Sequence, residues 1–337
     1  VPITFKLVVQ CLLTVLLLTG LASAEPVLPY QIKPYESSAY ESLLLGRDGR
    51  PSDLRPEEIY GTAPHIGIRI ANGGAGYTGL LRALSEAYLK TRPTIQGKPF
   101  SIAWYATNTT YSYYALRDHV VDVSLVYEIW ADALQGPRAY AQQPVLLFND
   151  AFIFVGPAAN PAELVSASAN GRGDSLDEML DKIIATGCKQ PFAPNCSMYA
   201  SRSDLSGTYK KETAYLIAHR TPVDLVLHSP WYYAKLATPR EALQEASEKG
   251  LYTMNDKSTW ISHPSFQKGL AIFADGALGL DANLNNPCYA LLAQENYLVS
   301  DQPRRFLRWL AGPEGQRIIA TYGQHEFGAP VVRAVRR

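Results

Sequence analysis

The stretch IRIANGGAGYTGLLRAL, residues 68–84, decides how this chain folds. Ile66, Ile68 and Ile70 alternate with Gly67 and Arg69, the period of a half-buried strand, and Leu80, Leu81, Leu84, Ala87 and Tyr88 then recur at helical spacing until Pro93. Between strand and helix, Gly74-Ala75-Gly76-Tyr77-Thr78-Gly79 spells G-x-G-x-x-G. Glycines permit close backbone approach, and a helix N-terminus offers unpaired N–H groups and the positive end of its dipole, so the junction suits an anion. A nicotinamide or flavin fold needs an acidic residue about 20 positions beyond the glycines to hold the ribose. The next strand ends Tyr105-Ala106-Thr107-Asn108, and no acid stands between Glu86 and Asp118. An oxyanion-binding loop is the favoured reading; a turn that only lets helix and strand pack closely is the alternative.

The pattern repeats outward. Phe100, Ile102 and Trp104 predict a strand, followed by a loop over 106–110, a short helix over 111–118 and a buried strand from Val120. A helix near 129–141 and a strand over 151–157 follow. Ser175-Leu176-Asp177-Glu178 is a capping-box pattern opening another helix, which gives Arg172-Gly173-Asp174 a structural reading rather than an adhesive one. A third strand-loop-helix junction lies in 198–220, a glycine-rich region in 276–286, and a last helix in 303–323. Strands alternating with helices imply a parallel α/β sheet with right-handed crossovers.

Thirty-one basic and 31 acidic residues cancel, which removes any bulk electrostatic case for nucleic acid or an anionic membrane. Residues 1–24 read as a signal peptide, with Lys6, an apolar run and Ala22-Ser23-Ala24 before Glu25. Gln10 before Cys11 is a poor lipoprotein box, so release without a lipid anchor is expected, and no membrane span remains after cleavage. Residues 25–63, rich in Pro, Tyr and Ser, read as an arm. In an oxidising compartment Cys188 and Cys196, bracketing KQPFAPN, are the expected disulfide, with Cys288 buried or free. Asn108 and Asn195 head glycosylation sequons. Metal-ligand spacing and the G-x-S-x-G, H-E-x-x-H and P-loop signatures are absent; Gln324-His325-Glu326 is only a fragment of a metal motif.

The stretch SRSDLSGTYKKE, residues 201–212, resembles a hallmark of the periplasmic tungstate-binding proteins, oxyanion receptors of ABC importers, whose stretch reads close to SRGDNSGTHKKE. FNDAFIFVGP (148–157) is similar to that family's YNDFVIVGP, GLYTMND (250–256) to its AYTLTD, and Trp309-Leu310 through Gly315-Gln316 to its WL-x-x-x-x-GQ ending. The resemblance runs in order over about 66–332. It implies an α/β fold of the type II periplasmic-binding class: two lobes, 64–150 with 285–337 and 151–284, joined by two crossing strands with a ligand cleft between them. It implies a monomeric, non-enzymatic protein that captures a small anion, a tungstate- or molybdate-like oxyanion or an organic anion, without metal or cofactor, secreted or periplasmic, and partnered by an ABC transporter if the source is bacterial.

The implied ligand-binding residues are Asn72, Gly73 and Gly74 in a first loop, Thr107 and Thr109 in a second, and Arg202, Ser203, Ser206, Gly207 and Thr208 in a third. The family's first loop is hydroxyl-rich, TTTS, whereas here it is Ala71-Asn72-Gly73-Gly74-Ala75, which keeps backbone donors only. The second reads near GTGQA in the family and Ala106-Thr107-Asn108-Thr109-Thr110 here. Two other readings stay open: an enzyme on the same scaffold using Arg202 to orient a carboxylate, and an extracellular interaction protein with a vestigial cleft. Arg202 itself either meets the anion or braces the loop by pairing with Asp204.

Overall fold

A computed structural model describes residues 55–136, 139–166, 173–218, 228–279, 281–294, 298 and 300–335. The expected signal peptide, the arm as far as residue 54, Cys11 and Arg172 lie outside the described residues. In chain order the elements are β1 (Glu58–Tyr60), β2 (Ile66–Asn72), α1 (Gly74–Tyr77), α2 (Leu80–Lys90), β3 (Thr94–Ile95), β4 (Lys98–Pro99), β5 (Ser101–Ala106), α3 (Thr109–Arg117), β6 (Val123–Val126), α4 (Ala131–Leu134) and β7 (Val145–Pro157). There follow α5 (Leu176–Ala185), β8 (Tyr199–Ser201), α6 (Gly207–Ala218), β9 (Tyr232–Ala234), α7 (Pro239–Lys249), β10 (Tyr252–Asp256), α8 (Lys257–Ser262), β11 (Leu270–Asp275), β12 (Asn285–Leu292), α9 (Gln302–Ala311), α10 (Pro313–Thr321) and β13 (Arg333–Ala334).

The sheet runs β1-β5-β2-β6-β12-β7-β10-β8-β9, with β11 and β13 also pairing with β7. Pairings of β2 with β5 and β6, and of β8 with β9 and β10, are parallel, as strand-helix alternation implies. The strands that join these two blocks break the rule: β12 is antiparallel to both β6 and β7, and β7 is antiparallel to β10. The 13 residues of β7 extend well beyond the expected 151–157. Its first half pairs with β12 and its second with β10 and β11, so one continuous strand passes from one block to the other. Two larger sets of core side chains follow, with two smaller ones beside them. One of the larger draws on 60–148 and 288–332, around Ile68, Ile70, Leu84 and Phe306; the other draws on 152–284, around Phe154, Met179, Tyr199 and Tyr252. Burying each such side chain contributes about 1.5 to 3 kcal/mol.

Local chemistry sets several boundaries. Ser175 and Glu178 form the expected capping box of α5, and the disulfide Cys188–Cys196, Cα atoms 5.0 Å apart, closes the loop after it, leaving Cys288 free and buried. Thr238 and Glu241 make a second capping box, with Pro239 at the first helical position, for α7, a helix absent from the sequence expectation. The expected helix over 129–141 is only one turn, α4, because Gly136 takes a left-handed φ of +85° and Pro137 follows it. The expected last helix is two: Gly312 is extended (φ −82°, ψ 175°) and caps both α9 and α10, and Pro313 cannot donate to a continuous ladder. The end of the expected arm is a strand, β1, antiparallel to β5.

Candidate functional site

Three loops meet at the carboxyl ends of parallel strands, where open α/β sheets place ligands. After β2, Asn72 is wholly buried; its Nδ2 donates to the Leu125 carbonyl and its Oδ1 accepts from the Gly76 N–H, both at 3.0 Å. Those bonds hold β2 to β6 and pin the glycine turn. A Cβ on Gly73 would stand 2.6 Å from the Thr107 carbonyl oxygen, so backbone contact between the first two loops requires glycine there. Gly76 has another cause, since its Cβ would fall 2.1 Å from the Trp104 ring. Within G-x-G-x-x-G, then, only Gly74 borders the cavity described below; Gly76 makes room for tryptophan, and Gly79 takes a φ of +81° between α1 and α2.

After β5, Asn108 caps α3: its Oδ1 accepts from the Tyr111 N–H at 2.9 Å, and its Nδ2 donates to the Asp204 carbonyl at 2.5 Å. Thr110 Oγ1 donates to the Leu205 carbonyl at 2.8 Å, a second tie between the second and third loops. The glycosylation reading of Asn108 is therefore corrected: the side chain is 5% exposed and both amide atoms are engaged. Asn195, by contrast, is exposed beside the disulfide.

The third loop follows β8. Arg202 is 4% exposed; its Nε donates to the Ala237 carbonyl at 3.2 Å, Nη1 to Thr208 Oγ1 at 3.1 Å and Nη2 to Asp204 Oδ2 at 2.5 Å. Asp256, from the end of β10, brings Oδ2 to 3.7 Å from Nη1. Arg202 thus braces the loop through Asp204 and also stands in the cavity wall. Ser206 caps α6 by accepting the Tyr209 N–H at 3.2 Å. Ser203 and Leu205 hold left-handed φ values of 47° and 58°, unusual for residues with side chains.

These loops line a cavity of about 30 Å³, room for a small group of heavy atoms. Eight of the ten expected ligand residues line it: Gly73, Gly74, Thr107, Thr109, Arg202, Ser206, Gly207 and Thr208. Asn72 and Ser203 do not; Asn72 shapes the loop, and the half-buried Ser203 donates its N–H to Ser201 Oγ. Six lining residues were not anticipated as ligand residues: Asn108, Leu125, Tyr127, Pro239, Asp256 and Asn286. Their one sequence signal is polar Asn255 and Asp256 ending an otherwise apolar strand pattern. Burial, with the charge of Asp204 adding to it and Arg202 opposing it, pushes the Asp256 carboxyl up. The phenol of Tyr127 is pushed well up by burial too, and stays neutral. Helices α3 and α6 both direct N-termini at the cavity through Thr109, Gly207 and Thr208, giving backbone donors and positive dipole ends. No group of three or more His, Cys, Asp or Glu side chains able to hold a metal is found among the described residues.

A tungstate-binding protein of Peptoclostridium acidaminophilum is 27% identical over 190 residues, 55% of this chain and 58% of that protein. The chain is related to the tungstate-binding solute-binding proteins. A proposed anion-binding protein of an ABC transporter from Haloferax volcanii is 30% identical over 185 residues, 52% of this chain and 47% of that protein. The matches thus span about half the length of these curated relatives, which are transporter-type binding proteins and not enzymes. Among solved structures, a periplasmic protein of proposed metal-binding role superposes with a TM-score of 0.68 at 26% identity, over 83% of this chain and all of that one. The tungstate-binding protein of Desulfovibrio alaskensis G20 superposes with a TM-score of 0.60 at 23% identity, over 80% of this chain and 99% of that one, and shows the same periplasmic-binding-protein fold. No protein-family model matches the chain.

Proposed function

We propose that this protein is a solute-binding protein that closes two lobes, residues 64–150 with 285–337 and 151–284, around a small tetrahedral oxyanion of the tungstate or molybdate kind. The observation that carries this reading is the convergence of two helix N-termini, three loops and Arg202 on one cavity of about 30 Å³. Burying an anion requires nearly every oxygen to be paired, which loop N–H groups and the hydroxyls of Thr107, Thr109, Ser206 and Thr208 supply. The volume favours an inorganic oxyanion over a larger organic one. Delivery to an ABC transporter, and export with release by cleavage after Ala24, belong to the same reading.

Ligand that binds only the native state raises its stability by mass action. Thermal unfolding with tungstate, molybdate, sulfate, phosphate and small carboxylates is expected to show a concentration-dependent rise for at least one oxyanion. No rise with any of them would refute the proposal.

A further inference from the structure

The charges around the cavity are badly matched to an anion. Among the described residues Arg202 is the one cation in its wall, and it stands between Asp204, in contact with Nη2, and Asp256, 3.7 Å from Nη1. Behind Asp256 lies Asp150 of β7, wholly engaged: Oδ1 accepts from the N–H groups of Ala151 and Ser258, and Oδ2 from Ser258 Oγ at 2.5 Å. Lys257 is turned to Asp275 at 2.5 Å. Tyr127, just after β6, and Cys288, on β12, also stand near Asp150, and burial holds both neutral. The carboxyls of Asp150, Asp204 and Asp256 thus stand against one guanidinium where a further anion has to enter, and repulsion between neighbouring carboxylates favours a proton on one of them.

Acceptor geometry points the same way. Asp256 Oδ1 accepts from Asn286 Nδ2 at 3.1 Å and, weakly, from Thr208 Oγ1 at 3.4 Å. Among the described residues its Oδ2 has only Arg202, at a distance too long for a hydrogen bond. Asn286, 2% exposed and also in the cavity wall, has an Oδ1 with no hydrogen-bond partner among the described residues. A bare oxyanion carries acceptors only and would meet Asp256 Oδ2 as like against like. A ligand oxygen bearing hydrogen would meet it as donor against acceptor.

Building on the anion-binding reading, we infer that the cavity takes its oxyanion together with one proton, held between a ligand oxygen and Oδ2 of Asp256. The proton has two sources. An anion such as hydrogenphosphate or hydrogenarsenate brings it. With a fully deprotonated one such as tungstate or sulfate, the Asp256 carboxylate takes one proton up from solvent on binding and donates it as a hydrogen bond to the ligand oxygen. Burial raises the carboxyls of both Asp150 and Asp256, with repulsion from Asp256 adding to it at Asp150 and, against the pull of Arg202, repulsion from Asp204 adding to it at Asp256, which favours a proton there.

The test is titration calorimetry of the full chain with tungstate, sulfate, phosphate and arsenate in two buffers of different ionisation heat, at about pH 8 to 9, where uptake of one proton makes affinity fall about tenfold per pH unit. Tungstate or sulfate is expected to take up close to one proton, and phosphate and arsenate close to none. Asp256→Asn is expected to abolish the uptake and flatten the pH profile, while the wild-type buffer dependence stands whether or not that variant folds. Binding of deprotonated anions with no proton uptake, or an uptake that persists in a folded Asp256→Asn, overturns the inference and leaves anion binding intact. Binding by none of the four overturns the binding reading and the inference with it.

Discussion

Asn108 donates through Nδ2 to the Asp204 carbonyl at 2.5 Å while its Oδ1 caps α3, so one side chain joins the loop after β5 to the loop that carries Arg202. Asn108→Ala is expected to lose about 1 kcal/mol for the cap and a comparable amount for the tie. Asn108→Asp keeps the cap acceptor and loses the donor. If the tie matters, chemical denaturation will rank the wild type above Asp, and Asp above Ala. Equal stability of Asp and wild type would show that the tie contributes nothing.

Arg202 pairs with Asp204 and also stands in the cavity wall. Removing it leaves Asp204, 1% exposed, without its cation, which typically costs about 3 to 5 kcal/mol. Arg202→Ala is therefore expected to lower the unfolding midpoint without ligand and also to reduce the ligand-induced rise by more than tenfold in affinity. A variant that is destabilised yet keeps the whole ligand shift would leave Arg202 as a brace alone. Arg202→Lys is expected to rescue little, because a single ammonium cannot reach Ala237, Thr208 and Asp204 together as the planar fork does.

Ser203 and Leu205 stand where the resembling family has glycine and asparagine, and both hold positive φ. Glycine adopts that region freely and asparagine more readily than leucine, whose side chain here is 46% exposed and adds little packing. Ser203→Gly and Leu205→Asn are each expected to stabilise the protein by about 0.5 to 1 kcal/mol, read as a raised denaturation midpoint. A loss of stability in both would mean that the side chains outweigh the backbone strain.

Glu212, 4% exposed on α6, accepts from Tyr232 Oη at 2.7 Å. Burial raises its carboxyl from 4.5 to about 7 against the pull of hydrogen bonds from Ser201, Tyr232 and Tyr199. The folded state therefore binds more protons than the unfolded one between these values. The group's stabilising contribution is fully present below about pH 4.5 and is lost as pH rises through about 7, a change on the order of 3 kcal/mol. Glu212→Gln should flatten that part of the stability-pH profile. An unchanged profile would place the titration elsewhere.

Reduction of Cys188–Cys196 is expected to cost roughly 2 to 3 kcal/mol, the chain-entropy value for a short loop. Cys288 is wholly buried and should resist thiol labelling until denaturant is added. Labelling of all three cysteines in the native, unreduced protein would contradict both statements.

What the sequence determined by itself is local. The alternation of Ile66, Ile68 and Ile70 is a strand, Ser175 with Glu178 is a helix start, and Cys188 with Cys196 is a closed loop, because each depends on side chains within a few residues of one another. The Ser201–Thr208 motif likewise placed Arg202 and the start of α6 on the cavity. Tertiary structure alone decided the rest. Gly76 is glycine because Trp104, on another strand, lies against it, and the unbroken β7 is set by its partners β12 and β10. Asp256 and Asn286 join Arg202 only because β10 and β12 flank β7 in the sheet, and Asn286 stands opposite Asp150 in that register. Whether an arginine is a free anion receptor or a cation shared among carboxylates depends on which strand ends the sheet order brings together, and no periodicity or spacing along the chain encodes that distance.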